Sequence, residues 1–337
     1  MLRKILMTAF VIILTLITNY AKAIDSVNPF LGRWALYLPG GAGWLEVKQM
    51  DSYIDADLLW YGGSVTPCAN AYMDGNSLVV TRQREYILTK DNQENPTRVH
   101  KATELYRFDL YGDQMVGELI SPQKDGSTNV TRFTGKKIPP VLAAPDLSKV
   151  EYGKAINLLN GKDLSGWKII GENKVNGWTI SNGVLTNNPI QKEGQPHISY
   201  GNLRTVDTFE DFNLKLQVNI PAGSNSGIYL RGIYEVQVLD SYGKPLDSHN
   251  MGALYSRITP SVSAEKPAGS WQDVDITLCD RHLTVILNGT RIIDNQPILG
   301  CTGGALTADE FIAGPIYLQG DHGTVSYRNI KISPIIK

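Results

Sequence analysis

Cysteine is scarce here: Cys68, Cys279 and Cys301 are the three in 337 residues. Their spacing matches no Cys/His metal motif, and an odd number cannot all pair, so neither a zinc module nor a disulfide scaffold is indicated. Charge of one sign is lacking too, with 32 Lys and Arg against 33 Asp and Glu. Without a basic patch there is nothing to neutralise a polyphosphate backbone, which excludes nucleic acid as a partner. No polybasic run offers a membrane-surface anchor. Internal repeats, low-complexity tracts and long stretches of 3.6-residue periodicity are missing, so an α-helical fold is excluded.

The long apolar run from Ile5 to Ile17 is too short to span a bilayer comfortably. It follows Arg3-Lys4 and precedes Ala21-Lys-Ala23, the order of a secretory signal peptide with cleavage expected after Ala23. No Cys follows that point, so lipid attachment is not indicated, and no membrane insertion is expected once the segment is removed. The mature chain would then begin near Ile24, in the periplasm or outside the cell. Loss of Arg3, Lys4 and Lys22 leaves 29 basic against 33 acidic residues, a net charge near −4. Neutral sugars fit that balance without being specified by it. Export permits a Cys279–Cys301 disulfide; two buried thiols are the alternative.

What is abundant is glycine (32), proline (17) and tyrosine (16), set among short alternating segments such as Phe212-Asn-Leu-Lys-Leu-Gln-Val and Leu283-Thr-Val-Ile-Leu. Asp74-Gly75, Asn182-Gly183 and Asn288-Gly289 supply turns between them. The reading is all-β. Pro139, Pro140 and Pro145 mark an extended linker over residues 137–151. It separates a smaller domain, 24–136, from a larger one, 152–337. In the first, Gly32-Arg33-Trp34 is similar to the Gly-x-Trp of lipocalin-like barrels, and a β-sandwich is the other reading.

The most informative stretch is Asn225-Ser-Gly-Ile-Tyr-Leu-Arg231 followed by Tyr234-Glu-Val-Gln-Val-Leu-Asp240. At the two-residue period of a strand, Tyr234, Val236 and Val238 face a core while Glu235 and Gln237 face the other way. Arg231 is expected to project with them and Asp240 to lie just beyond, forming a polar floor for a hydroxyl-rich ligand. A solvated outer face is the plain alternative.

The larger segment resembles the 3-keto-disaccharide hydrolase domain family over nearly all of residues 152–335. The likeness rests on Leu158-Leu-Asn-Gly-Lys-Asp-Leu-Ser-Gly-Trp167, Trp178-Thr-Ile-Ser-Asn-Gly-Val-Leu185, Asn225-Ser-Gly and Glu235-Val-Gln-Val-Leu-Asp240. Gly252-Ala-Leu-Tyr255, Lys266-Pro-Ala-Gly-Ser-Trp271, Gly314-Pro-Ile-Tyr-Leu-Gln319-Gly-Asp-His322-Gly and Tyr327-Arg328-Asn-Ile-Lys-Ile continue it. The chain departs where Gln272 follows Trp271 in place of the family's Asn. The resemblance implies a concanavalin A-like jelly-roll sandwich of two antiparallel sheets, and an oligosaccharide or glycoside as substrate.

It further implies chemistry on a sugar oxidised at C3, where the ketone makes the C2 hydrogen acidic. A base removes that hydrogen, the C1 leaving group departs by β-elimination, and water adds back. Such a sequence needs a base, an electrophile at the C3 oxygen and an acid for the leaving group. The expected catalytic residues are Glu235, Asp240 and His322. Asn225, Arg231, Gln237, Tyr255, Lys266, Trp271 and Gln319 are expected to bind substrate. The resemblance specifies no cofactor; a divalent cation, calcium or another oxygen-preferring ion, is compatible with the carboxylates. The alternatives are a jelly-roll endo-glucanase, paralleled superficially by Glu235-x-Gln237-x-x-Asp240, and a non-catalytic carbohydrate-binding module.

Overall fold

The computed structural model describes residues 28–123 and 125–336; the signal peptide expected at 1–23 lies outside the described residues. Apart from one 3-10 turn at Asn28–Phe30, the regular structure among the described residues is β strand. No helix there is long and apolar enough to cross a membrane. The chain forms two compact units. Among the described residues, one comprises 28–39, Trp44–Leu58 and Thr66–Ile138; the other comprises Gly40–Gly43, Leu59–Val65 and 139–336.

Nine strands make the first sheet: β1 (Gly32–Leu38), β2 (Gly41–Gln49), β3 (Ile54–Trp60), β4 (Thr66–Pro67), β5 (Asn70–Asp74), β6 (Ser77–Lys90), β7 (Pro96–Tyr111), β8 (Gln114–Pro122) and β9 (Thr128–Ile138). Their order, β4-β3-β2-β1-β9-β8-β7-β6-β5, follows the chain and closes through antiparallel β1–β9 pairing, for example Leu36 opposite Gly135. Only β4 and β5 remain as edges. Between them Cys68 N–H donates to Ala56 O and Ala69 N–H to Thr81 O, both at 2.8 Å. The result is a barrel-like meander. Trp34, Leu36, Leu45, Leu58, Leu78, Tyr106 and Phe108 fill it, and the Trp34 indole donates to Phe30 O at 2.8 Å.

The second unit is a sandwich of antiparallel strands. They are β10 (Glu151–Tyr152), β11 (Ile156–Asn157), β12 (Trp167–Ile170), β13 (Trp178–Ser181), β14 (Val184–Asn187), β15 (Asn202–Thr205) and β16 (Phe212–Asn219). The remainder are β17 (Asn225–Leu230), β18 (Tyr234–Leu239), β19 (Trp271–Cys279), β20 (His282–Leu287), β21 (Thr290–Pro297), β22 (Tyr317–Leu318) and β23 (Val325–Ile336). One sheet runs β13-β14-β23-β16-β19-β20-β21, with β10 and β11 added against β23; the other runs β12-β15-β22-β17-β18. Alternation decides which side is dry. On β16, Phe212, Leu214, Leu216 and Val218 are buried in the core, as are their partners Leu278, Ile276 and Val274 on β19. From the five-stranded sheet, Leu203, Ile228, Leu230, Tyr234, Val236, Val238 and Leu318 point the same way. Each such side chain contributes roughly 1.5–3 kcal/mol of burial.

Cys68, Cys279 and Cys301 are free thiols, the last two buried, so the disulfide that export would permit is not formed.

Candidate active site

The opposite face of the five-stranded sheet carries a different set of residues. Pairing fixes it: Tyr229 lies opposite Glu235, Gly227 opposite Gln237, Tyr229 opposite Tyr317, and Arg204 opposite Tyr317. Paired residues share a face, so Asn202, Arg204, Asn225, Tyr229, Glu235, Gln237 and Tyr317 line one side. Gln319 joins them, its N–H bonded to Gly227 O at 3.0 Å. The segment after Met251 then acts as a further edge, with Tyr255 N–H donating to Glu235 O at 3.0 Å, which puts Tyr255 beside Glu235.

Glu235 is 4 % exposed and lies across Gly227, where a Cβ would come within 2.2 Å of its Oε1. Glycine there is a steric requirement for the carboxyl's position. Burial pushes the carboxyl up to about 8; Asp321 adds to the rise and the nearby His322 opposes it. Tyr229 opposes it only to the extent that its hydroxyl donates to the carboxyl. That hydroxyl has one proton, and it is directed at the Gly303 carbonyl, 2.8 Å away. Toward Glu235 the Tyr229 oxygen therefore offers a lone pair, and the proton between them belongs to Glu235. Geometry and burial agree on a neutral carboxylic acid at pH 7.

Tyr317 stacks on Tyr229, ring centroids 4.1 Å apart, and accepts from Asn202 Nδ2 at 2.9 Å. His322 stands beyond, its Nδ1 2.6 Å from Asp321 Oδ1. The Asp321 contact raises His322 above its usual value. Burial alone would lift Asp321, but its bond to His322 carries it below the usual carboxylate range. An aspartate fixing Nδ1–H leaves Nε2 as the basic nitrogen. Two amide oxygens, Asn225 Oδ1 and Gln319 Oε1, are buried with no hydrogen-bond partner. An orphaned buried acceptor costs roughly 1–3 kcal/mol, and hydroxyl donors of a bound sugar would remove that cost.

Of the residues singled out in the sequence, Glu235, Gln237, Asn225, Tyr255, Gln319 and His322 come together here. Four do not. Arg231 sits in the turn after β17, 4 % exposed, with Nε donating to Ile312 O at 3.0 Å and Nη2 to Glu310 O at 2.8 Å. Asp240 lies five residues from Glu235, roughly 17 Å along an extended strand and at the opposite parity. Its Oδ2 accepts Gly223 N–H at 2.8 Å, which closes a turn. Lys266 and Trp271 belong to the outer face of the other sheet. Lys266 Nζ donates to Trp271 O at 3.0 Å, and Arg328 covers the Trp271 ring at 4.0 Å. Gln272, buried, clamps the Lys266 backbone at both N–H and C=O, at 2.9 and 2.8 Å. Tyr229, Tyr317, Asn202 and Asp321 were not expected. The first could have been found by centring the hairpin on Gly232, which sets Tyr229 opposite Glu235.

Among the described residues, the acidic and thiol groups spaced like metal ligands are Asp211, Cys279 and Asp280, on the opposing sheet. Asp211 Oδ2 there already accepts Asp280 N–H at 3.1 Å. A cleft of about 730 Å³ lined by Ile156, Phe209, Glu210 and Pro334 also lies away from Glu235 and gathers no acid–base pair.

Residues 154–333 match the 3-keto-alpha-glucoside-1,2-lyase-like domain. The chain belongs to that family. It is 28 % identical over 148 residues to the 3-keto-disaccharide hydrolase of Bacteroides thetaiotaomicron, which covers 36 % of this chain and 51 % of that protein. The chain thus spans about half the length of this curated relative. Two crystal structures from Parabacteroides distasonis, each described as a "putative glycosyl hydrolase", are also similar. One is 31 % identical with a TM-score of 0.43, covering 58 % of this chain and 92 % of its own. The second is 21 % identical with a TM-score of 0.43, covering 54 % and 94 %.

Proposed function

We propose that this enzyme cleaves 3-keto-glycosides by elimination across C1–C2 followed by hydration, with His322 as base and Glu235 as acid. The single observation carrying this reading is the juxtaposition of a buried carboxylic acid on the sheet face with an aspartate-held histidine in the turn after β22. His322 Nε2 takes the C2 proton, whose acidity comes from the C3 ketone. The C1–O bond breaks as C1=C2 forms, and the departing oxygen takes the Glu235 proton. Water then adds at C1 and a proton returns to C2, giving net hydrolysis. Asn225 Oδ1 and Gln319 Oε1 accept sugar hydroxyls, while Asn202 and Gln319 carry amide donors able to serve the C3 oxygen as it gains charge. The leader-like start of the sequence supports action in the periplasm or outside the cell.

The same arrangement disfavours a conventional glucanase. Such an enzyme needs two carboxyls about 5–9.5 Å apart across the bond; Asp240 is engaged elsewhere, and the Asp321 carboxylate is bonded to His322. The test compares a disaccharide with its 3-keto derivative, with and without chelator. Turnover of the keto sugar alone, with the 1,2-ene detected as a transient absorbing species, is expected. Equal cleavage of the unoxidised sugar would establish the glucanase, and binding without turnover a carbohydrate-binding module.

The protonation states give a second expectation. Activity requires His322 neutral, so it rises as pH passes the raised value of that group. It also requires Glu235 protonated, so it falls near pH 8. Tyr229→Phe removes the lone pair that accepts the Glu235 proton. The alkaline limb of kcat/KM should then move to lower pH, with activity reduced about 10-fold. A shift to higher pH would mean that Tyr229 donates to the carboxylate instead.

A further inference from the structure

Asp247, His249 and Ser64 form a relay that keto-sugar cleavage does not use. His249 Nδ1 is 2.5 Å from Asp247 Oδ1, and His249 Nε2 is 2.7 Å from Ser64 Oγ. Asp247 also accepts the His249 backbone N–H at 2.8 Å, and its bonds to His249 hold it below the usual carboxylate range. A carboxylate only accepts, so the Nδ1 nitrogen carries the ring proton. Nε2 is then the acceptor, and Ser64 donates to it. That is the order of nucleophile, general base and orienting acid that activates a serine. The His249 ring is braced edge-on against Tyr255, centroids 4.9 Å apart at 87°.

The serine is presented by Gly62-Gly63-Ser64, part of the Leu59–Val65 segment that belongs to the same compact unit as residues 139–337. Gly63 takes a left-handed φ of 74°, and Gly303 packs so closely on it that a Cβ would lie 2.3 Å from Gly63 O. Among the described residues, the backbone N–H groups of Gly63 and Ser64 make no hydrogen bond. Two adjacent free amides beside an activated hydroxyl are the donors that a carbonyl oxygen needs as it becomes an oxyanion. The site is open, with the Asp247 and His249 side chains 58 % and 40 % exposed.

We propose that Ser64 is the nucleophile of a second catalytic site, which hydrolyses small carboxylic esters. Ser64 Oγ bonds to the ester carbonyl carbon as its proton passes to His249 Nε2. The carbon–oxygen bond to the alcohol then breaks, and the alcohol leaves with that proton. Water, deprotonated by Nε2, attacks the acyl-serine; the carboxylic acid is released and Ser64 regains a proton. This assignment is independent of the chemistry at Glu235.

The test is covalent and catalytic together. The full-length protein is treated with a fluorophosphonate and mapped by peptide mass spectrometry, and p-nitrophenyl acetate hydrolysis is followed in parallel. One label per chain on Ser64 is expected. Ser64→Ala and His249→Gln should each lower hydrolysis by at least about 100-fold at unchanged melting temperature. Absence of label on wild-type Ser64, or undiminished hydrolysis in folded Ser64→Ala, overturns the proposal.

Discussion

Glu235→Gln should abolish keto-glycoside cleavage and make the protein harder to unfold. The loss follows from removing the proton that the leaving group takes, an effect of about 10²–10⁴-fold for a positioned general acid. The gain follows from linkage. Burial raises the folded carboxyl from the usual 4.5 to about 8. A raised folded value means full stability below pH 4.5, lost progressively as pH climbs through 8, because the unfolded chain ionises freely and the folded one does not. At 1.36 kcal/mol per pH unit, that range corresponds to at most about 5 kcal/mol. Glutamine keeps the shape, donates to the same Tyr229 oxygen and never ionises. Urea titrations at pH 8 should show the variant more stable by roughly 3–5 kcal/mol, and at pH 4.5 nearly equal to wild type. A variant that loses activity but unfolds like wild type at pH 8 would mean Glu235 is ionised in the resting enzyme.

That coupling of activity to instability separates what was legible in the sequence from what was not. The alternation of Tyr234-Glu-Val-Gln-Val-Leu239 is a local property, and it placed Glu235 and Gln237 on one face and the apolar residues on the other. The same arithmetic puts Asp240 at the wrong parity, which makes it a turn residue bonded to Gly223. Arg231 defeats the alternation for a different reason. It has left the strand, with φ 55°, so two-residue periodicity no longer says where its side chain goes. Lys266 and Trp271 lie outside any local rule, because their placement depends on which of two sheets β19 joins.

The partners of the site are legible only through cross-strand register. Tyr229 and Glu235 are opposed because their hairpin is centred on Gly232, and Tyr317 reaches them from a strand nearly ninety residues later. Periodicity within one segment carries no information about that encounter. The Tyr229 hydroxyl finds its acceptor in Gly303, a loop glycine with no pattern to announce it.

Arg231→Ala should destabilise the fold, because Arg231 braces the turn after β17. Arg231 and Gly232, at φ 55° and 68°, make a mirror-image turn in which an arginine is strained by about 1 kcal/mol or more. Its guanidinium offsets that strain by tying down the carbonyls of Glu310 and Ile312. The Glu310 carboxyl is itself buried, accepts the Tyr234 hydroxyl at 2.9 Å and faces Arg281 at 3.9 Å. Burial raises it, while Tyr234, Arg257, Arg281 and Arg231 hold it down. Removing one cation from such a cluster leaves buried carbonyls without their donor and takes a neighbouring positive charge from a buried acid, a loss of roughly 3–5 kcal/mol. For a sandwich of this size that lowers the melting temperature by roughly 10 °C. Were Arg231 instead a substrate ligand, KM would rise with little change in melting. Thermal unfolding and kcat/KM measured on the same preparation, well below the transition, decide between the two.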